Sequence, residues 1–400
     1  MSWPTEDVES DASLGLALCR LAMGLDELYR RTRSGVENHE AALAAEGLVP
    51  VDLWRGAPLH LADWVAAAES TAALQSHTAQ VVDPIRRAFL EDTLLSLSTL
   101  IGWQAGTDGL SFRERASRLL GLSVESIPSE TLAKRRADVL RAVGAPVLEW
   151  ERAGVVSTEQ MPGVFASYAA EARERTHRQV GAVPERPLMR LELVHDVPYT
   201  GYCDYFSNTM RLNADQPFTA QRLKLLVLHE AYPGHDYHLW RRELGVRDGR
   251  QPLDSLLVVT NTPSSPLFEG IGDNGALLLD WLEPDERLSF ELGTLRSAAC
   301  VNACLMLYEA GEPAERVREF LIEEGCAHPS WASTRLRFMQ DPLRAPFVFS
   351  YYLGYRSVAE ASHAWQGGRT EFYECLYGRM HSPRSLRLAA ELSDAKGRNV

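Results

Sequence analysis

Four hundred residues, 45% hydrophobic and 24% charged, read as a soluble globular chain with apolar material for one large domain or two ordinary ones. Lys+Arg number 41 against Asp+Glu 54, and the net charge of −13 repels nucleic acid and anionic lipid surfaces, so neither is expected as a partner. The six cysteines (Cys19, Cys203, Cys300, Cys304, Cys326, Cys375) form no CxxC pair, which argues against a disulfide framework or a sulfur-rich zinc site and for reduced core thiols.

The N-terminal "MSWPTEDVESDASLGLALC" carries acids where a secretory leader needs a basic start. No uninterrupted run of about 18 apolar residues follows, so the expectation is a cytoplasmic protein without a membrane partner. From residue 12 to about 185 apolar residues recur at three and four, as in "LGLALCRLAMGLDELYRR" and "IRRAFLEDTLLSLSTLIGW", which predicts helices packed on helices. The Pro-bearing "GAVPERP", residues 181–187, is the candidate boundary between a helical N-terminal region, 1–185, and a catalytic region, 186–400.

The period then becomes two. "LMRLELVHDVPYTGYCDYFSNTMRLNAD" alternates apolar and polar residues and is punctuated by Pro198, Gly201 and Asn208, predicting a small antiparallel sheet. Helices are predicted again over 219–232, with Thr219 as N-cap, and over 264–282, 284–311, 313–324, 344–365 and 383–395. The fold class is mainly α (α+β), a large helical protein with one small sheet beside a histidine-rich helix. Cys300 and Cys304 share a face of the 284–311 helix amid apolar neighbours and read as packing.

The helix predicted over 219–232 runs into "LLVLHEAYPGHDYHLW", residues 225–240. In an HExxH helix two histidines four apart share a face and chelate zinc, with the Glu beside the open metal position. Here the fourth residue after His229 is Pro233. His235 stands at i+6, roughly 120° off the face of His229 on an unbroken helix and about 9 Å along it, too far to share a metal. Pro233 and Gly234 are the residues that break such a helix, and looping out two residues returns His235 towards His229. In the next predicted helix, "TPSSPLFEGIGDNGALLLDWL", Glu269 and Asp273 lie one turn apart among apolar residues, where acids are costly unless paired or metal-bound. Glu269 fits a third, anionic ligand and Asp273 an acceptor for a ligand imidazole N–H.

"HEAYPGHDYHLW", "LFEGIGDNGALLL" and "FVFSYYLGYRSVAEA", in this order, resemble the bacterial family catalogued as domain of unknown function 885, itself similar to the gluzincin metallopeptidases. The resemblance covers about residues 190–390. It implies a gluzincin-like fold, one Zn2+ ion on His229, His235 and Glu269, and Glu230 as general base. It also makes Tyr351, on a later helix, the first candidate oxyanion donor, with Tyr352 and Tyr355 as neighbours. Asp236 stands where the family has a second histidine, so His238 competes with His235 as ligand. Arg337 and Arg344 are candidate clamps for a substrate carboxylate, and "SNTMRLNAD" is an expected edge strand for an extended substrate. The function so read is a zinc-dependent hydrolase of peptide or other amide bonds, acting on a small peptide or amide metabolite. Two alternatives stand beside it: a non-haem Fe(II) enzyme with a two-histidine, one-carboxylate triad, and a non-catalytic binding protein on the same fold.

Overall fold

The computed structural model describes residues 11–33 and 46–397, so residues 1–10, on which part of the leader reading rests, lie outside the described residues. The chain divides into two compact units, each assembled from separated segments: Met1–Val124, Leu239–Leu267 and Arg356–Val400 in the first, Glu125–His238 and Phe268–Tyr355 in the second. The segment 181–187 falls inside the second unit, between the helix Met161–Gln179 and the strand Arg190–Val194.

The first unit is built on the helices Asp11–Arg33, Trp64–His77, Pro84–Gln104, Phe112–Leu120 and Pro383–Gly397. Their starts are written locally. Asp83 accepts the N–H groups of Ile85 and Arg86 with Pro84 in the first turn, and Ser111 with Glu114 forms a reciprocal capping box. Leu14, Leu18, Leu21, Leu25 and Leu28 make one buried stripe at three- and four-residue spacing. The buried cation Arg86 is matched by a two-pronged contact to Asp254 at 2.7 Å on each prong and by Asp11 at 2.9 Å. A short antiparallel ladder joins Val51–Asp52 to Leu257–Val258.

His381 in this unit is buried, with Nε2 2.9 Å from the carbonyl of Cys375 and Nδ1 3.3 Å from the hydroxyl of Ser385. Burial lowers its pKa to about 4, the Cys375 carbonyl opposing and Arg379 reinforcing the shift. In the unfolded chain histidine titrates near 6.5. The unfolded state therefore binds the extra proton between those values, and the stability present above about pH 6.5 is lost as pH falls towards 4. Between pH 7 and pH 5 this one residue is expected to remove about 2 kcal/mol. Urea unfolding at the two pH values checks it: His381→Gln should show a correspondingly smaller acid loss than wild type, and equal losses would refute the assignment.

The second unit packs the helices Met161–Gln179, Ala220–Glu230, Pro284–Tyr308, Ala314–Glu324 and Pro329–Gln340 with a three-stranded sheet. Thr219 caps the helix Ala220–Glu230 through the N–H of Arg222 at 3.1 Å, as its sequence predicts. Lys224 on that helix is buried, its Nζ 2.5 Å from Glu286 and 3.8 Å from the Trp281 ring centroid. All six cysteines are free, and burial pushes the Cys300 thiol up to about 11, as inert packing requires.

The mainly helical, α+β class is as expected, and no described helix is long and apolar enough to cross a membrane. The sheet differs from its prediction. Its order places Thr209–Asn213 in the centre, parallel to Arg190–Val194 and antiparallel to Gly201–Asp204. The sheet is mixed because the chain from Val194 to Gly201 crosses over before the hairpin forms, so the first strand is not the hairpin partner of the next. "SNTMRLNAD" is thus no edge strand: both its backbone faces are used, and the edge strands of this sheet are Arg190–Val194 and Gly201–Asp204. The predicted helix 264–282 is also interrupted. It runs Ser264–Asp273, pauses at Asn274 and resumes as Gly275–Leu278, with the Asn274 amide donating to the carbonyls of Gly270 at 2.7 Å and Tyr355 at 2.9 Å. The 344–365 prediction resolves into a tight turn at Pro346–Val348 and a helix Phe349–Ala364.

Candidate metal centre

Leu223, Leu226, Val227 and Leu228 anchor the helix Ala220–Glu230 in the core, which fixes His229 and Glu230 at its C-terminal end. The helix stops there, and the next begins at His235. Between them the Tyr232–Pro233 bond is cis. The N–H of Tyr237 donates to the carbonyl of Ala231 at 3.1 Å, a span of six residues in place of the helical four, so two residues are looped out. Gly234 makes the turn possible: a Cβ there would lie 1.8 Å from the carbonyl oxygen of His229. The bulge brings the His229 and His235 rings to 4.5 Å between centroids, at 77°.

Glu269 arrives from the helix Ser264–Asp273. Its Oε2 is 3.3 Å from His229 Nε2 and its Oε1 is 3.6 Å from His235 Nε2. One ligand atom from each of the three side chains lies within 4.8 Å of the others. Asp273, one turn on, takes the far nitrogen of His229, with Oδ1 3.0 Å from Nδ1. An N–H donated from Nδ1 leaves Nε2 as the lone-pair nitrogen on the Glu269 side. Gly272 clears room for that ring, since a Cβ there would come 2.7 Å from Nδ1. His235 stacks on Phe268 at 4.0 Å and 2°, and its Nδ1 is buried without a hydrogen-bond partner among the described residues.

The electrostatics favour a cation at this point. Burial disfavours a charged His229, yet hydrogen bonds to Asp273 and Glu269 outweigh it and raise the imidazole pKa well above its ordinary value. Burial, and then the charges of His229 and His238, lower that of His235. Burial raises Glu269, against the pull of His229. Two imidazoles and one carboxylate, buried and converging, fit zinc in type and number and leave a coordination position for water.

Glu230 lies beside the triad. Burial pushes its carboxyl up to about 7, the neighbouring Glu269 and Asp273 adding to the rise, while His229 and the Cys203 N–H hold it down. Cys203 belongs to the edge strand Gly201–Asp204, and a Cβ at Gly201 would sit 3.0 Å from Glu230 Oε1. Tyr351 reaches the same region. Burial is the main cause of its raised phenol pKa, with the Glu269 charge second, and it is in hydrogen-bond contact with Arg335.

The other expected residues are placed elsewhere. His238 is buried and tilted against Phe268 at 5.6 Å, outside the converging group. Asp236 pairs with Arg186, whose guanidinium lies 4.7 Å over Tyr205, and so braces the start of the second site helix. Tyr352 is a core residue, and Tyr355 packs edge-on against Phe290 at 5.9 Å. Arg337 pairs with the exposed Asp196 at 2.9 Å, and Arg344 is buried, its backbone N–H donating to Asp341 at 3.1 Å. The arginine that does meet Tyr351 is Arg335, 200° around an ideal helix from Arg337. Its signal is readable in "WASTRLRF": Trp331 four residues before and Phe338 three after put both rings on the face of Arg335.

No family model matches the chain, and no curated protein matches it. The assignment to the domain of unknown function 885 family and the gluzincin-like fold is therefore withdrawn, its three short motifs being too few residues to establish descent. Among solved structures the chain is similar to "the putative lipoprotein from Colwellia psychrerythraea", with a TM-score of 0.52, 12% identity, and 82% of this chain and 69% of that chain covered. It is also similar to "a putative lipoprotein of unknown function from Shewanella oneidensis", with a TM-score of 0.48, 15% identity, and 82% and 72% covered. At 12% identity the likeness to the Colwellia psychrerythraea protein is one of fold alone.

Proposed function

We propose that this protein is a metal-dependent hydrolase of amide bonds in small peptides or related metabolites. The observation that carries the reading is the convergence of His229, His235 and Glu269 within 4.8 Å, with the unligated carboxylate of Glu230 next to His229. A zinc ion held by those three would activate water and polarise a carbonyl. Asp273 orients the His229 ring by accepting from Nδ1. Glu230, held by the Cys203 N–H, takes the water proton on its carboxylate and returns it to the departing amine. Tyr351, anchored by Arg335, donates its phenolic O–H to the oxygen on which charge develops. The outer edge of Gly201–Asp204 offers an extended substrate those backbone groups that Glu230 does not occupy.

The test is amide hydrolysis by protein prepared metal-free and then supplied with one equivalent of zinc. Activity should vanish on chelation and return with zinc. Iron retained in place of zinc, with an oxygen-dependent activity, would overturn the reading in favour of a facial-triad oxygenase.

A further inference from the structure

Two guanidinium groups in the second unit stand out by what they lack. Among the described residues, 23 of the chain's ion pairs join an arginine to a carboxylate, yet none of them engages Arg335 or Arg222. Both side chains are enclosed without being sealed, each keeping part of its surface open. Arg335 is boxed by aromatic rings, its Cζ 4.8 Å from the Tyr351 centroid, 5.4 Å from Trp331 and 5.7 Å from Phe338. Among the described residues its hydrogen bond is to the Tyr351 phenol, and the carboxylate whose charge it feels is Glu269, which already faces both histidines. Arg222 stands seven residues before His229, on the same helix face and about 10 Å back along the axis.

The acids around this pair are all occupied. Glu151 is gripped at 2.9 and 2.8 Å by Arg296, which also donates to the Cys326 carbonyl at 2.7 Å. Asp273 holds His229, and Glu269 faces both histidines. Arg222 feels this imbalance. Burial, and then the repulsion of Arg296, lower its pKa to about 10, with Arg335 adding to the repulsion and Glu151 and Asp273 opposing it. An enclosed, open-faced cation without a carboxylate partner among the described residues is a site for an anion brought by the ligand.

We infer that Arg335, backed by Arg222, binds a carboxylate of the substrate, so that the bond cleaved is the last amide before a free C-terminal carboxylate. This rests on the hydrolase reading. The spacing suits it: Arg335 touches the proposed oxyanion donor Tyr351, so an anion on Arg335 lies about one residue's length, 3 to 4 Å per residue, from the carbonyl that Tyr351 serves. The planar guanidinium, held flat by three rings, takes a carboxylate through two parallel N–H donors. Two arginines also exclude a substrate ending in an amine or an extended chain without an anion there.

The test uses a library of N-acetylated dipeptides as free acids and the same library as C-terminal amides, on the zinc-loaded protein. Wild type should hydrolyse the acids with a kcat/KM about 100-fold or more above the amides. Arg335→Gln releases Tyr351 for both libraries but should lower kcat/KM for the acids far more than for the amides and so erase that preference, Arg222→Gln should reduce it, and Arg335→Lys should retain part of it. A second readout needs no turnover: the free acids should raise the melting temperature of wild type, and the amides should not, an effect lost in Arg335→Gln. Acids and amides hydrolysed equally would overturn this inference and leave the hydrolase reading standing. Selective thermal stabilisation by acids with no hydrolysis of either library would uphold the arginine site and sink the hydrolase reading. Neither hydrolysis nor stabilisation would overturn both, and a preference for acids that survives both glutamine variants would reassign the carboxylate site.

Discussion

Glu230→Gln should lower kcat for amide hydrolysis by about 10³-fold, within the range a positioned proton carrier contributes, and leave the bound metal count at the wild-type value. The prediction follows from where the carboxylate sits. Glu230 directly follows the proposed ligand His229 on the chain but is absent from the converging group, so on this reading its removal takes away a proton acceptor and no ligand. Glutamine keeps the shape and the oxygen that accepts from the Cys203 N–H, and it removes a buried charge that burial penalises. The folded state should therefore be undisturbed or slightly steadier, which thermal melting reads directly. Steady-state kinetics with metal analysis on one preparation separates the outcomes: undiminished turnover in Glu230→Gln rules out the role given to this residue.

The second large effect is expected at Gly234. A methyl group there would sit 1.8 Å from a backbone oxygen, and neither atom belongs to a flexible side chain that can swing away. The loop between the two site helices must then redraw, and the His229–His235 separation of 4.5 Å depends on that loop. Gly234→Ala should cost about 3 kcal/mol or more of stability and abolish metal binding together. Gly163→Ala is the matched control. It lies within the helix Met161–Gln179 where a Cβ meets nothing within 4 Å, and the same exchange there should stabilise by about 0.5 to 1 kcal/mol. Urea unfolding of both variants measures the contrast.

Much of this architecture was legible in the chain because its causes are local. Thr219 caps a helix with its own side chain, and the apolar spacing of "LKLLVLHE" buries one face; both depend on residues within a few positions. The same holds for Pro233 and Gly234, which announce a break wherever they occur together. The strand order was not legible, since pairing Arg190–Val194 with Thr209–Asn213 in parallel is decided by packing across 19 positions and not by either segment's pattern. The helix Ser264–Asp273 ends early because the Asn274 amide reaches the carbonyl of Tyr355, a contact 81 residues away in sequence. Side-chain choice among near neighbours failed for the same reason. Arg335 and Arg337 are alike in composition, and only the position of Tyr351 and Asp196 sends one to the candidate site and the other to the surface. The family resemblance was read from short motifs that the whole chain does not support.

The central claim is that His229, His235 and Glu269 bind one divalent ion, and counting metal tests it most directly. Protein stripped of metal and equilibrated with zinc should retain one ion per chain by elemental analysis. His235→Ala and Glu269→Ala should retain none, and His238→Ala should retain one. Zinc binding absent from the folded wild type, or kept by His235→Ala and lost by His238→Ala, would contradict it.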